Sequence, residues 1–350
     1  MAGGAAPWEV RLARIPGARI EPDDFALTEG VAPEPAAGEV VVRTEAIGLN
    51  AGLRHRLGTG RSTTLGPALG IGDVPRSDGV ATVVASSDPD LPEGSRVVGM
   101  LPWAGLAAMP ASDVRLVSPE LSADELLTIR GHVGLTAHVA LKRVGDLAPG
   151  ETVWISAAAG GVGSCAVQFA KLLGGNVIAS AGGTERMGFL ADELGVDHAL
   201  DRRGSLSEQL DAAAPDGIDL YLDLVGGDHL ELALTRLRER GRAVLVGRTA
   251  AHLSDTITLD HPTMIRSRQS VLGMSVTDFP DALPDLTELV DGAAGGLRSV
   301  ATRWQGAGSL GAAFSALFRG QVLGRAIVEV GNGASGSLSS PEPTHHERTM

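Results

Sequence analysis

The stretch Glu151–Lys171, ETVWISAAAGGVGSCAVQFAK, limits the fold of this chain more than any other part of it. It begins with the apolar run Val153–Ile155, which is short enough for a buried parallel strand. The spacing Ala158-x-Gly160-x-x-Gly163 follows, and a helical pattern of apolar residues comes after it. Small residues at this spacing let the backbone turn tightly and approach a pyrophosphate, which then faces the amides of the helix start. The strand–turn–helix context favours a phosphate-binding turn over the alternative, a purely structural glycine turn.

Composition restricts the class of protein. The 350 residues suffice for two domains, and the net charge of −13 disfavours general nucleic-acid binding. No apolar run is long enough for a membrane span, and the N-terminus MAGGAAPWEV lacks the pattern of a signal peptide. The sequence therefore predicts a soluble, cytoplasmic protein with a small-molecule substrate and no nucleic-acid or membrane partner. The one cysteine, Cys165, excludes an intrachain disulfide and a multi-cysteine zinc site.

Hydrophobic patterns divide the chain into a β-rich part and an alternating part. The first 120 residues or so contain short predicted strands at Val40–Thr44, Gly79–Val84, Arg96–Met100 and Val114–Val117. A helical stretch begins at Ser122, with Glu125 completing a capping box, and continues to Arg143 with an interruption near Gly131–Gly134.

From Val153 onward, strands and helices alternate as in an open parallel sheet. Further strands are predicted at Asn176–Ser180, Leu220–Leu224, Ala243–Val246, Val271–Met274 and Ala326–Val330. Helices are predicted at Thr184–Leu194, Asp228–Arg240, Asp281–Ala294 and Leu310–Arg319. Residues 332–350 have almost no apolar content and are predicted to be disordered.

This order of elements resembles the medium-chain dehydrogenase/reductase superfamily, and within it the zinc-independent prostaglandin, alkenal and quinone reductases. The motifs that carry the resemblance are GLTAHVAL (134–141), SAAAGGVGSCAVQFAKLLG (156–174), DLYLDLVGGDHL (219–230) and FRGQVLGRAIVEV (318–330). The resemblance implies an α/β fold, a Rossmann doubly wound parallel sheet plus a β-rich GroES-like barrel domain. Residues 1–128 with 306–331 would form the barrel, and residues 129–305 the NADPH-binding domain. It also implies a homodimer through the Rossmann domain, by way of the strand near Val271, and an active site in the interdomain cleft.

The end of the second Rossmann strand decides the predicted cofactor. An NAD site usually has an acidic residue there, and an NADP site avoids that charge. The segment Val177–Thr184 has no acid, and Arg186 follows where prostaglandin reductases have a lysine that contacts the 2′-phosphate. Arg202 lies where the family often has a tyrosine. Arginine offers a planar charged fork to a phosphate, so NADPH is predicted, although each arginine is alternatively an ordinary surface residue.

The resemblance implies a set of cofactor-binding positions, with two departures from the family pattern. Leu224 and Val322 each replace a family asparagine on the nicotinamide side. Either cofactor binding there is weaker or rearranged, or backbone groups at Gly247 and Met274 take over. The full set is Thr136, Ala158, Gly160, Gly161, Val162, Gly163, Ala181, Gly182, Arg186, Arg202, Leu224, Gly247, Arg248, Met274 and Val322.

The sequence predicts no metal site and no particular catalytic residue. The segment AIGLNAGLRHRLG (46–58) lacks the cysteine of zinc alcohol dehydrogenases, and no His-Glu pair follows near Leu65–Gly72. Tyr221 aligns with a structural family tyrosine and is not predicted to be the proton donor. The pocket candidates, each alternatively a loop or packing residue, are Asn50, Arg54, His55 and Trp103.

The predicted activity is that of an NADPH-dependent, zinc-independent ene-reductase, which delivers hydride to the β-carbon of an α,β-unsaturated carbonyl. One variant is a natural-product tailoring enzyme of secondary metabolism, a reductive cyclase that couples hydride addition to Michael-type ring closure of a polyketide-derived polyene. Its substrate would be an enone or a polyene. A non-catalytic NADPH-binding sensor is the alternative from another class, and zinc-type alcohol oxidation is the third.

Overall fold

The computed structural model describes residues 7–58, 66–247, 256–293 and 295–331. The predicted disordered tail, 332–350, lies outside them. The described strands are β1 Trp8–Leu12, β2 Phe25–Glu29, β3 Glu39–Gly48, β4 Arg76–Ser86, β5 Arg96–Pro102, β6 Leu106–Pro110, β7 Val114–Leu116, β8 Thr152–Ile155, β9 Asn176–Ala181, β10 His198–Asp201, β11 Ile218–Asp223, β12 Leu237–Leu245, β13 Ser270–Gly273, β14 Ala301–Gln305 and β15 Arg325–Glu329.

The helices alternate with the strands mainly in the second half of the chain. They are α1 Ala123–Leu127, α2 His132–His138, α3 Gly161–Leu172, α4 Thr184–Gly188, α5 Leu206–Ala213, α6 Asp228–Arg236, α7 His261–Ser267, α8 Leu283–Gly292 and α9 Leu310–Phe318. Short π-helical segments, Val139–Val144 and Phe189–Glu193, extend α2 and α4. The predicted capping box is confirmed, because Ser122 and Glu125 exchange side-chain to backbone hydrogen bonds of 3.2 and 3.1 Å.

The described residues divide into two compact units, the first formed by those up to 127 and from 301 onward, and the second by those between 128 and 300. In the first unit, seven strands form a sheet in the order β14-β15-β3-β4-β5-β7, with β6 paired to β3, and β1 and β2 form a separate antiparallel pair. Residues 301–305, grouped by sequence with the Rossmann domain, form β14, which pairs in parallel with β15 in the first unit. The predicted β-rich domain is confirmed.

An aromatic cluster lies in the core of the first unit. Trp103 is wholly buried, with ring centroids 5.1 Å from Phe25 and 5.8 Å from Phe314. Its indole N–H donates to the hydroxyl of Ser77 at 3.1 Å. The prediction that Trp103 walls a substrate pocket is therefore wrong. Its ring packs in the hydrophobic core, and its indole N–H is already hydrogen-bonded.

The second unit contains a six-stranded parallel sheet in the order β10-β9-β8-β11-β12-β13. The first strand, β8, lies in the middle, and the chain moves outward from it in both directions. This is the order of a Rossmann fold, and the prediction is confirmed. Val153, Trp154 and Ile155 are all buried because helices cover both faces of a parallel sheet.

One predicted helix is too long at its end. The helix from Asp228 stops at Arg236, and residues 237–240 belong to β12. Leu237 pairs with Ile218 of β11 and is buried, and Arg240 has the left-handed φ of 64°, which cannot continue a helix. Strand pairing and burial of Leu237 thus override a helical sequence pattern.

Candidate functional site

The predicted phosphate-binding turn connects β8 to α3. Ala157 has a left-handed φ of 46°, and the N–H of Ala158 donates to the carbonyl of Ser180 on β9 at 3.0 Å. A β-carbon added at Gly163 would lie 2.4 Å from the carbonyl oxygen of Ala157, so only glycine fits there. Gly160, Gly161 and Val162 open the helix and remain partly exposed. The N–H of Gly160 donates to the carbonyl of Ala157 at 2.9 Å. The backbone N–H groups of Gly161 and Val162, in the first turn of the helix, lack partners within the helix and can receive a phosphate.

The carboxyl ends of the parallel strands meet at one edge of the sheet, as they do in this fold class. The turn after β8, Gly182 after β9, Arg202 after β10 and Leu224 after β11 therefore lie along that edge. Gly247 and Met274 follow β12 and β13 there, and their N–H groups donate to the backbone carbonyls of Asp223 and Leu245, respectively, at 3.2 Å each. The second unit thus brings together most of the predicted cofactor-binding positions.

The Asp223–Gly227 segment forms a tight turn beside the phosphate-binding turn. The buried carboxylate of Asp223 accepts hydrogen bonds from the hydroxyl of Tyr221 at 3.0 Å and from the N–H of Gly226 at 2.9 Å. The N–H of Leu224 donates to the hydroxyl of Ser156 at 2.9 Å. Burial raises the pKa of Asp223, and burial and Asp223 raise the pKa of Tyr221 well above its ordinary value. Tyr221 is wholly buried and structural.

Arginine side chains surround the two glycines after β9. Arg186 donates to the carbonyl of Gly182 at 3.2 Å. A β-carbon at Gly182 would lie 2.6 Å from Nε of Arg202 and one at Gly183 3.5 Å from Arg203, so these guanidinium groups cover the glycines. Asp201, at the end of β10, pairs with Arg203 at 3.1 Å. Neither Asp201 nor Arg203 is singled out by sequence, because they meet Gly183 only through the pairing of β9 with β10.

His229, at the start of α6, is a further residue of this edge that the sequence pattern did not single out. Its ring lies 6.3 Å from that of Trp154, at an angle of 30°. Burial lowers the pKa of His229, the charge of Asp223 opposes that shift, and the charge of Arg202 reinforces it. At neutral pH His229 therefore presents an uncharged ring at the start of α6. The only signal in the sequence is its place within the motif DLYLDLVGGDHL.

The remaining predicted positions lie in several places. Thr136 is buried in α2 of the second unit, where its hydroxyl donates to the carbonyl of His132 at 2.7 Å. Val322 belongs to the core of the first unit. Arg248 lies outside the described residues.

The pocket candidates also lie in the first unit. The amide of Asn50 donates to Asp78 at 3.0 Å, and the buried Arg325 donates to the same carboxylate oxygen at 2.6 Å. Arg54 donates to the carbonyl of Ala18 at 3.0 Å, and His55 is exposed. Asn50 is therefore held by a charged pair, whereas Arg54 is bonded to a neighbouring loop.

In the part of the chain that the structure describes, no three His, Cys, Asp or Glu side chains are clustered closely enough to hold a metal ion. No helix among the described residues is long and apolar enough to cross a membrane.

Comparisons with known proteins bear on both units. A family model described as the N-terminal domain of oxidoreductase matches residues 8–117, and one described as zinc-binding dehydrogenase matches residues 161–292. The NADP-dependent oxidoreductase YfmJ of Bacillus subtilis is 31% identical over 338 residues, 93% of this chain and 98% of its own length. Rat (Rattus norvegicus) prostaglandin reductase 1 is 32% identical over 272 residues, 74% of this chain and 82% of its own.

Solved structures agree with the fold. The crystal structure of CurA from Vibrio vulnificus in complex with NADPH has a TM-score of 0.86 and 26% identity, and the match covers 93% of this chain and 100% of that chain. The parallel sheet, the phosphate-binding turn and relatives over 30% identical together show that this chain belongs to the medium-chain dehydrogenase/reductase superfamily, in its zinc-independent branch of NADP-dependent double-bond reductases.

Proposed function

We propose that this protein is an NADPH-dependent reductase that delivers hydride to the β-carbon of an α,β-unsaturated carbonyl compound. The observation that carries the proposal is the pairing of two features on one sheet edge: a phosphate-binding turn at Gly163 and guanidinium groups around Gly182. The first suits a pyrophosphate and the second suits a 2′-phosphate. Relatives named as prostaglandin reductase, 2-alkenal reductase and curcumin reductase support the reaction class.

The residues fit NADPH. The glycine at 163 keeps α3 close to the turn after β8, so the amides of Gly161 and Val162 would face the pyrophosphate. Arg186 and Arg202 would hold the 2′-phosphate, because a guanidinium group offers charge and paired donors to phosphate oxygens. The backbone at Gly247 and Met274 would face the nicotinamide end of the cofactor. Leu224 would place an apolar side chain there, where the family has the amide of an asparagine.

The bound cofactor supplies the hydride, and the residues of the chain supply binding, orientation and charge. The turn after β8 and the arginines after β9 and β10 would hold the two phosphate groups of the cofactor and so orient its nicotinamide ring. Hydride addition leaves an enolate that needs hydrogen-bond donors and then a proton at the α-carbon. Tyr221 does not supply that proton, because it is wholly buried and bonded to Asp223.

The test is consumption of NADPH by the purified protein with a panel of 2-alkenals, aryl enones, quinones and conjugated polyenes, followed by mass and NMR analysis of the products. Saturation of the α,β double bond, with hydride label from deuterated NADPH at the β-carbon, is expected. Ring formation in the same turnover would identify the reductive cyclase variant. Tight NADPH binding without turnover of any compound would instead favour the non-catalytic sensor. The homodimer and the cytoplasmic location stay predictions.

A further inference from the structure

A carboxylate lies at the ribose end of the proposed NADPH site, although the segment after β9 contains no acid. Asp201 ends β10, the neighbour of β9, and its Oδ1 accepts a hydrogen bond from the N–H of Gly183 at 3.3 Å. The position next to Gly183 is where an acidic residue would receive the ribose hydroxyls of an NAD cofactor. The acid that is absent from the end of the second strand is thus supplied by the third.

The backbone of Asp201 is held in place independently of its carboxylate. The side chain of Gln209 accepts from the N–H of Asp201 at 2.9 Å and donates to its carbonyl at 3.0 Å. β10 also pairs in register with β9, with Asp201 opposite Ala181. A change at a neighbouring side chain would therefore leave the carboxylate of Asp201 beside Gly183.

Arg203 neutralises this carboxylate. Its Nη2 donates to Oδ2 of Asp201 at 3.1 Å, its Nε donates to Oδ1 at 3.3 Å, and its backbone N–H donates to the same Oδ1 at 3.0 Å. These bonds, the side-chain bond from Arg203 foremost, lower the pKa of Asp201 to about 2. Asp201 is therefore charged at neutral pH, both with Arg203 and without it, since its ordinary pKa is also far below neutrality.

The balance of charge decides which cofactor this edge accepts. A 2′-phosphate carries close to two negative charges and is repelled by an adjacent carboxylate, whereas a 2′-hydroxyl donates a hydrogen bond to one. With Arg203 in place, the charges of Asp201 and Arg203 cancel each other, and Arg186 and Arg202 make this edge of the sheet positively charged. Without Arg203, a carboxylate would face the ribose.

We propose that Asp201 is a second determinant of cofactor choice and that Arg203, by pairing with it, selects NADPH over NADH. This inference rests on the proposed nicotinamide-dependent function. Arg203 acts here as a positioning residue through Asp201, and direct contact of Arg203 with the phosphate is the competing explanation. The two explanations differ in what happens when both side chains are removed.

The experiment measures dissociation constants for NADPH and NADH by fluorescence titration of four proteins: the unaltered protein, Arg203→Ala, Asp201→Asn and the double variant. Arg203→Ala is expected to weaken NADPH binding by about tenfold or more while NADH binding stays the same or tightens. In the double variant, NADPH binding is expected to recover to within about threefold of the unaltered protein. Arg203→Lys keeps the charge but loses the two-point contact with Asp201, so its NADPH affinity is expected to lie between those of the unaltered protein and Arg203→Ala.

The control is Arg238→Ala, because Arg238 forms a partly buried ion pair with Asp219 at 2.8 Å near the amino ends of β11 and β12, away from the proposed cofactor site. It should change neither dissociation constant. The loss of NADPH affinity caused by Arg203→Ala should also become smaller as ionic strength rises, because exposed charges are screened by salt. If the double variant binds NADPH as poorly as Arg203→Ala, the inference is overturned and direct contact is correct. If the unaltered protein binds neither nucleotide, the proposed function itself fails.

Discussion

Gly163 has no room for a side chain, because the peptide of Ala157 lies against its Cα. We expect Gly163→Ala to push α3 away from β8, to lower the free energy of unfolding by about 1–3 kcal/mol and to weaken NADPH binding by about tenfold or more. Urea unfolding and nucleotide titration measure the two effects.

Gly292→Ala is the matched control, because a β-carbon there meets nothing within 4 Å at the end of α8. Gly292→Ala should leave the free energy of unfolding and the NADPH affinity nearly unchanged. Equal NADPH affinity in Gly163→Ala and the unaltered protein would show that the close contact of α3 with β8 does not shape the phosphate site.

His138 gives the second prediction at this scale, a dependence of stability on pH. It is buried, and neither ring nitrogen has a hydrogen-bond partner among the described residues. Burial lowers its pKa below 6.5, the charge of Asp285 opposes the shift, and Arg143 and Lys142 reinforce it. The unfolded chain therefore binds a proton that the folded chain does not, so the free energy of unfolding falls as the pH drops below about 6.5.

We expect His138→Leu to flatten this dependence by up to about 1.4 kcal/mol per pH unit between about pH 6.5 and 5. Urea unfolding at a series of pH values measures it. His229→Gln serves as the comparison, since burial also lowers the pKa of His229. A pH profile that His138→Leu leaves unchanged would contradict the prediction.

At the scale of elements, α3 is tied to the segment before β14 by one buried side chain. Gln168 donates to the carbonyl of Arg298 at 3.1 Å and accepts from its N–H at 2.7 Å. We expect Gln168→Leu to lower the free energy of unfolding by about 1–3 kcal/mol, because it leaves two backbone groups of Arg298 unbonded.

Gln168→Glu keeps an acceptor for the N–H of Arg298 but places a buried carboxylate against the carbonyls of Ser164 and Arg298, so at neutral pH it should lower the free energy of unfolding at least as much as Gln168→Leu. Glu193→Ala is the surface control: it removes the exposed ion pair that Arg298 forms with Glu193 at 3.0 Å and should cost almost nothing. Urea unfolding of the three variants ranks them, and equal losses for Gln168→Leu and Glu193→Ala would show that the tie is not stabilising.

At the scale of the whole molecule, the proposed cofactor should stabilise the folded chain by mass action. A nucleotide at a hundredfold excess over its dissociation constant raises the free energy of unfolding by about 2.7 kcal/mol. We expect NADPH to raise the melting temperature more than NADH at equal concentration.

Arg186→Glu should remove most of the NADPH shift and leave the NADH shift, because it places a negative charge beside the 2′-phosphate. Thermal unfolding with each nucleotide measures both shifts. Equal shifts from the two nucleotides, in the unaltered protein and the variant alike, would remove the assignment of Arg186.

The local features of this protein were open to prediction from sequence. The strand–turn–helix at Glu151–Lys171, the capping box at Ser122 and the six parallel strands with one exception follow from hydrophobic period and small-residue spacing. The exception is β10, four residues long, whose pattern in HALD is too short to be distinguished. Strand β14 was likewise hidden, because its pairing with β15 joins residues more than twenty positions apart.

The amino-acid sequence by itself determined the order of the elements, the phosphate-binding turn and the family, because each depends on residues adjacent along the chain. Only the tertiary structure decided where single side chains act. It packs Trp103 into an aromatic core, buries Val322 in the first unit and brings Asp201, at the end of β10, to Gly183, which follows the neighbouring strand β9. These meetings come from strand pairing and packing between distant segments, which no local pattern encodes.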